Sequence, residues 1–189
     1  GIFLDDAEMV NDAIAYYKTG KGGGCITEGI VFGGQPVEMG RDQPHAAIGI
    51  DAYADLCQAL WNQGLDMYAY EDNLLLKGFE YYAKFNLEHP VDWTPIDYHG
   101  HKFYYPAPSN NAPSSMPNNR ILANEAVYHH YVDRKGLDAP YLRTMMKLKN
   151  VDVLTGMMYT YSDTTTAYVS YPVPPIPEDV KVTGSIGRT

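Results

Sequence analysis

The sequence predicts an all-α fold in which antiparallel helical hairpins form an incomplete α/α toroid. Apolar residues recur at helical spacing in several segments, and these segments are followed by glycine or proline. No alternating strand pattern precedes the proline-rich stretch near the C-terminus. Because no repeat period is visible along the chain, closure into a toroid is favoured over an open solenoid.

The predicted helices follow from their apolar stripes and end signals. They span 6–19, 45–63, 72–87, 119–134 and 141–149, with a further short segment at 151–159. The second helix is expected to turn Ile48, Ala52, Leu56, Ala59 and Leu60 inward, and the third to bury Leu75, Phe79, Tyr82 and Ala83. Between the third and fourth predicted helices, residues 91–119 form a long proline-rich loop that carries Tyr98, Tyr104 and Tyr105. Loops of this length are often functional.

Composition divides the chain into three parts. Residues 1–171 are expected to form the C-terminal part of the toroid, 172–177 a proline-rich linker, and 178–189 the start of a following β module. The first residues are typical of the tail of a helix. We therefore expect the remaining N-terminal half of the toroid and the appended β module to belong to a larger parent protein.

Charge and tyrosine content narrow the ligand class. The chain has 189 residues, enough for a sizeable core, and its net charge of -9 argues against broad binding to nucleic acid or to an anionic membrane. No run of about 18 apolar residues marks a membrane span. The 17 tyrosines stand against 5 phenylalanines and 2 tryptophans, and a phenol combines a flat apolar face with a hydroxyl, which suits polar ring-shaped ligands.

Two cysteines, Cys25 and Cys57, leave two alternatives open. A single disulfide would suit a secreted protein, and two buried free thiols fit equally well. Their number and spacing do not fit a zinc site, and His99-Gly100-His101 lacks supporting ligands, so no metal and no other cofactor is predicted.

The segment before the second helix is the first candidate site. Arg41, Gln43 and His45 lie at a helix N-terminus, where free backbone amides and the helix dipole favour an anion. Arg41 can bind a carboxylate through two hydrogen bonds, Gln43 can donate, and His45 can act as acid, base or neutralising group. The alternative is a capping loop in which Asp42 caps the helix and His45 is bonded locally.

The second candidate site lies on the fourth predicted helix. Arg120, Asn124, Tyr128 and Tyr131 follow a spacing that places them on one helical face. Such a face can line a polar cleft in which a guanidinium favours the ionised form of a neighbouring phenol. His129 and His130 lie beside this face, with Glu125 as a possible partner; the alternative is a solvated face without function.

Three strings resemble the alginate-lyase-like superfamily of polysaccharide lyases, and in particular its glucuronan lyase branch. They are Glu38-Met39-Gly40-Arg41-Asp42-Gln43-x-His45, Trp61-Asn62-Gln63-Gly64-x-Asp66-x-Tyr68, and Asp72-Asn73-x-Leu75-Leu76-Lys77-Gly78-Phe79-Glu80-Tyr81. A fourth, Tyr128-His129-His130-Tyr131-Val132-x-Arg134-x-Gly136, resembles the later Tyr-x-His-Tyr motif of that group. The match covers about 1–171.

This resemblance implies a secreted or periplasmic α/α-toroid enzyme that cleaves an anionic uronic-acid polymer by β-elimination. It assigns Tyr128 or Tyr131 to acid and base chemistry and His45 to proton transfer or neutralisation. Arg41, Gln43 and Arg120 would bind the carboxylate, and Asn124, His130, Tyr131, Tyr104 and Tyr105 would contact the sugar. Two other functions remain open, a glycoside hydrolase with carboxylates such as Asp42 and Glu125, and a non-catalytic carbohydrate-binding fragment.

Overall fold

A computed structural model describes residues 1–98, 103–110 and 124–148, and this part of the chain is mainly helical, as predicted. Its α-helices are Ala7–Thr19 (α1), Ile26–Gly29 (α2), Gln43–Trp61 (α3), Tyr70–Asn86 (α4), Glu125–Tyr128 (α5) and Pro140–Leu148 (α6). A π-helical segment, His129–Arg134, continues α5. The predicted segment 151–159, the linker and the β module lie outside the described residues.

Two small antiparallel hairpins correct the expectation that no strand precedes the proline-rich linker. Strand β1 (Ile30–Val31) pairs with β2 (Gln35–Pro36), and β3 (Ile96–Tyr98) pairs with β4 (Phe103–Tyr105). The strands have two or three residues each, too short to produce an alternating pattern in the sequence. The second hairpin lies inside the segment predicted to be a loop.

Side-chain caps fix the starts of α1 and α3. Asp6 accepts a hydrogen bond from the backbone of Met9 at 2.9 Å, and Asp42 accepts one from the backbone of His45 at 2.8 Å. Each carboxylate satisfies an otherwise unpaired N–H and complements the positive end of the helix. Helix α3 therefore begins two residues before the predicted start, and Pro44 occupies its first turn, where no N–H is needed.

The start of α4 is irregular. Glu71, Asp72 and Asn73 have φ values of 50°, 53° and 59°, which is the left-handed region. Each such residue costs about 1–2 kcal/mol relative to a right-handed turn. Regular right-handed geometry therefore begins after Asn73, two residues later than the sequence predicts.

Helix α5 begins at Glu125, and Asn124 caps it with extended backbone at φ -107° and ψ 107°. The amide of Asn124 accepts from the backbone of Val127 at 3.0 Å. The predicted single face through Asn124, Tyr128 and Tyr131 is therefore wrong, because Asn124 is outside the helix and the π-helical turn changes the register after Tyr128. Residues 119–123 of that predicted helix lie outside the described residues.

Helix α6 is capped by a residue of α4. Glu80 accepts from the backbone of Leu142 at 2.7 Å and from that of Tyr141 at 3.3 Å. Burial raises the pKa of Glu80, and these two bonds oppose that rise. The N-terminal end of α6 is thus held directly on α4.

The core lies between α1, α3, α4, α5 and α6. The inward residues predicted for the third helix are confirmed, since Leu75, Phe79, Tyr82 and Ala83 are all buried. The face predicted for the second helix is largely wrong. Ile48 is 50% exposed, and α3 instead buries Ala46, Ile50, Tyr53, Ala54, Cys57, Leu60 and Trp61.

Cys25 and Cys57 are both buried free thiols. The thiol of Cys57 lies 3.3 Å from the hydroxyl of Tyr17, and burial raises its pKa to about 12. Of the two alternatives left open by the sequence, the structure has the free thiols. In the described ranges, none of the helices is both long and apolar enough to cross a membrane.

Candidate functional site

Two groups of polar side chains contain most of the described candidate residues. The first, called here the α3 cluster, consists of Glu38, Arg41, Asp42, His45 and Tyr105. The second, called here the π-helix cluster, consists of Trp61, Asp66, Tyr68, His130, Tyr131, Arg134 and Lys135.

His45 is oriented by Asp42 in the α3 cluster. Its Nδ1 lies 2.6 Å from Oδ1 and 2.7 Å from Oδ2 of Asp42, so Nδ1 donates and the carboxylate accepts. Neutral histidine has one donor and one acceptor nitrogen, which leaves Nε2 as the acceptor. The side chain of His45 is 42% exposed. Both features of the capping alternative, Asp42 as helix cap and a local bond to His45, are thus present in the structure. They leave the second nitrogen of the imidazole for proton transfer.

Arg41 lies beside this dyad and is half-exposed. Its Nη1 is 3.8 Å from Oε2 of Glu38, and its Nε is 3.9 Å from Oδ2 of Asp42. Both distances exceed hydrogen-bond length. Among the residues that the structure describes, the guanidinium thus has only long ion pairs, and its planar set of donors can receive an external carboxylate.

Tyr105 reaches this cluster from β4. A Cβ atom placed on Gly40 would lie 2.2 Å from Cβ of Tyr105, so only glycine allows the tyrosine to pack there. Burial raises the pKa of Tyr105; Glu38 and Asp42 raise it further, whereas Arg41 lowers it. The structure thereby places Tyr105, predicted only as a sugar contact, near the predicted Arg41 and near Asp42. Neighbouring Tyr104 is 62% exposed.

Gln43 differs from its predicted role. The side chain is completely buried, its Nε2 donates to the carbonyl of Ser109 at 2.6 Å, and its Oε1 accepts from Asn86 at 2.8 Å. Gln43 therefore holds the 103–110 segment on α3 and does not face solvent. The backbone of Ser109 also donates to the carbonyl of Met39 at 2.7 Å, which fixes the same two segments.

His130 and Tyr131 are buried in the π-helix cluster. The His130 ring stacks on Tyr68 at 4.1 Å and meets Trp61 edge-on at 4.7 Å. Tyr131 donates its hydroxyl to the carbonyl of Tyr68 at 2.6 Å. Neither side chain is accessible to a polymer in this conformation, although both are predicted to contact sugar.

Electrostatics keep His130 neutral. Burial lowers its pKa to about 3, Asp66 opposes this, and Arg134 and Lys135 add to it. Its Nδ1 accepts from Arg134 at 3.3 Å, and its Nε2 lies 3.5 Å from Asp66. Asp66 in turn forms an ion pair with Lys135 at 2.8 Å. The cluster links the 65–68 segment after α3 to the π-helical segment.

The remaining candidates are placed as follows. Asn124 donates to Oδ1 of Asp51 at 2.6 Å and so ties the start of α5 to α3. Tyr128 is half-buried, with its ring edge-on to His129 at 5.6 Å. Within the described ranges it forms no hydrogen bond with Arg41 or His45. Arg120 lies outside the described residues.

The carboxylate pair Asp51 and Asp55 on α3 was not predicted from the sequence. Burial raises the pKa of Asp55 to about 6, and neighbouring Asp51 contributes. The spacing of four residues along α3 was the signal that could have revealed the pair, since side chains at that spacing are neighbours on a helix. No group of three His, Cys, Asp or Glu side chains suited to a metal ion occurs among the described residues.

No protein family, curated protein or solved structure matches this chain. The α3 cluster is accordingly the basis on which its function is inferred.

Proposed function

We propose that this chain is part of a polysaccharide lyase that cleaves a uronic-acid polymer, of the glucuronan or alginate type, by β-elimination. The observation that carries the proposal is the half-exposed guanidinium of Arg41 beside the His45–Asp42 dyad at the start of α3. The motifs around these residues resemble those of the alginate-lyase-like superfamily. No metal or other cofactor takes part.

The chemistry of the cluster suits removal of a proton next to a carboxylate. Arg41 binds the uronate carboxylate and neutralises the charge that develops on it as the C5 proton leaves. His45 accepts that proton at Nε2, while Asp42 holds the ring and stabilises the imidazolium that forms. The product has a C4–C5 double bond at its new non-reducing end.

The wider assignment belongs to the same proposal. The helices are those of an α/α toroid, and the protein is secreted or periplasmic. By the resemblance, Tyr128 serves in proton transfer and Arg120 in carboxylate binding. The substrate is an anionic polysaccharide, and nucleic acid and membranes are not partners.

The test is incubation of the chain with glucuronan and with alginate while the ultraviolet absorbance of the unsaturated uronide is recorded. We expect absorbance to rise with at least one polyuronate and to stay flat with the same polymer after its carboxylates are reduced to alcohols. Arg41→Ala should abolish the rise. Arg143→Ala provides a matched control, because this arginine is similarly exposed but lies on α6. A flat trace with every polyuronate would refute the proposal.

A glycoside hydrolase is the second candidate, and the Asp51–Asp55 pair is the observation that favours it. A carboxyl group with a pKa near 6 can act as a general acid beside an ionised neighbour. Release of reducing sugar without a new ultraviolet chromophore, abolished by Asp55→Asn, would establish this function instead.

A further inference from the structure

We propose that Tyr105 is the general acid of the α3 cluster and protonates the departing O4 oxygen of the sugar. This inference rests on the proposed lyase function and deepens it. It assigns to a residue on the β3–β4 hairpin the proton-transfer role that the resemblance gives to Tyr128 on α5.

Backbone contacts on both sides fix the position of Tyr105. The indole N–H of Trp93 donates to the carbonyl of Tyr105 at 3.2 Å, and β4 pairs Tyr105 with Ile96 of β3. On the other side, the ring-bearing Cβ packs directly on Gly40. A catalytic group must be held within a fraction of an ångström of its productive position, and this packing provides such support.

A second tether holds the whole segment on α3. Ser109 donates its N–H to Met39 and accepts from the buried amide of Gln43. The 103–110 segment is thus attached immediately before and inside the first turn of the helix that carries His45. Tyr105 and His45 therefore lie on two segments that are held together, although 60 positions separate them in the sequence.

The charges around Tyr105 favour the protonated form of its phenol. Two carboxylates, Glu38 and Asp42, act on the phenol against the single guanidinium of Arg41. Oε2 of Glu38 is buried and has no hydrogen-bond partner among the described residues, so its charge is incompletely compensated. Burial and these carboxylates raise the pKa of Tyr105, and the phenol keeps its proton at neutral pH.

The other phenols are less suited to this task. Tyr131 is buried, and its hydroxyl already donates a hydrogen bond to the carbonyl of Tyr68. Tyr128 forms no hydrogen bond with the described residues of the α3 cluster. With His45 as base, Tyr105 completes an acid–base pair in which the phenol carries the proton that O4 takes.

The proposed step balances as follows. His45 takes the proton from C5, and the C5–H electron pair forms the C4–C5 double bond. The C4–O4 bond breaks, and O4 keeps its electron pair and takes the proton of Tyr105. The imidazolium of His45 and the phenolate of Tyr105 then exchange one proton, directly or through water, which restores both groups.

The test compares Tyr105→Phe with the unaltered chain on the polyuronate that it cleaves. Loss of a general acid predicts a kcat lower by about 10²- to 10⁴-fold with little change in KM. Exchange of the C5 hydrogen with deuterium from heavy water should persist, because His45 still removes that proton. A substrate with a leaving group that needs no protonation, such as 4-nitrophenol at C4, should restore turnover of Tyr105→Phe but not of His45→Ala.

Controls separate this inference from the proposed function. Tyr16→Phe removes an exposed hydroxyl on α1 that bonds to Lys21, far from the cluster in sequence, and should leave kcat unchanged. Gly40→Ala should displace Tyr105 and lower kcat toward the Tyr105→Phe value while the fold is retained. If the unaltered chain is active and Tyr105→Phe turns over at the same rate, Tyr105 is not the general acid, and the proposed lyase function still stands. Absence of elimination in the unaltered chain would overturn the proposed function itself.

Discussion

The α3 cluster and the π-helix cluster contain the same kinds of side chain but differ in exposure. His45 is 42% exposed and one of its nitrogens is fixed by Asp42, whereas the side chain of His130 is 1% exposed, with Arg134 at one nitrogen and Asp66 at the other. In the α3 cluster, the imidazole of His45 is oriented by Asp42 and is still exposed enough to contact a ligand. In the second, the polar groups face one another across aromatic rings. The difference shows that histidine, tyrosine and arginine in proximity indicate chemistry only where a polar atom is both fixed and accessible.

The largest effect is expected from His45→Ala. Loss of the proposed base should lower kcat for polyuronate cleavage by about 10²- to 10⁴-fold. The free energy of unfolding should change by about 1 kcal/mol or less, because the side chain is partly exposed and Asp42 keeps its bond to the backbone of residue 45. Cleavage assays together with urea denaturation measure both quantities.

His89→Ala is the control for that variant, because His89 is exposed and contacts only Tyr141 among the described aromatic side chains. It should leave kcat unchanged. If His45→Ala kept full activity, the α3 cluster would not be catalytic, and its polar groups would be structural like those of the π-helix cluster.

Tyr131→Ala is expected to affect stability most strongly. Removing this fully buried ring should lower the free energy of unfolding by about 3–5 kcal/mol. Tyr131→Phe keeps the ring but leaves the carbonyl of Tyr68 unpaired, which costs about 1–3 kcal/mol. Denaturation in urea gives both values. A Tyr131→Phe variant with unaltered stability and no activity would instead place this phenol in the active site.

The π-helix cluster should also make stability depend on pH. Burial lowers the pKa of folded His130 to about 3, whereas an unfolded histidine titrates near 6.5. Between these values the unfolded chain binds more protons, so this contribution is fully present above about pH 6.5 and is lost as the pH falls. His130→Phe removes the contribution.

Urea denaturation of both forms at about pH 7.5 and about pH 5.5 measures it. The unaltered chain should lose about 1 kcal/mol more than His130→Phe between these pH values. Equal losses in the two forms would mean that the pKa of His130 is not lowered in the folded protein.

The smallest effect is expected at Asp55, on the face of α3 next to Asp51. The folded pKa of about 6 is higher than the unfolded one, so the folded chain binds the extra proton and stability falls as the pH rises from about 4 to about 6. Asp55→Asn should therefore raise the free energy of unfolding at neutral pH by less than about 1 kcal/mol, since solvent screens the pair, and should change nothing near pH 4. Thermal or urea unfolding at the two pH values measures this, and lost activity would point to hydrolysis.

Local signals made the helix starts predictable. Asp6 and Asp42 each stand three residues before the N–H that they bind, and this relation is visible in the sequence. The orientation of α3 was harder to predict, because Ile48 and alanines 52 and 59, which are exposed, are as apolar as the residues that the helix buries. Only packing against α1 and α4 decides between two apolar faces.

Contacts between distant residues had no such signal. The packing of Tyr105 on Gly40 and the bond from Asn124 to Asp51 join segments more than 60 residues apart. The spacing of Asn124, Tyr128 and Tyr131 is ideal for a continuous helix, but Asn124 satisfies the helix N-terminus instead. Side-chain capping therefore outweighs periodicity at this point of the chain.

The Glu80 cap of α6 has a consequence for the order of folding. A nine-residue helix is too short to be stable alone in water, and α6 has its first N–H groups bound by a carboxylate some 60 positions earlier in the chain. Closing so long a loop is slow compared with winding a helix. Helix α6 should thus form only after α4 is in place, and the two should be protected from hydrogen exchange as one cooperative unit.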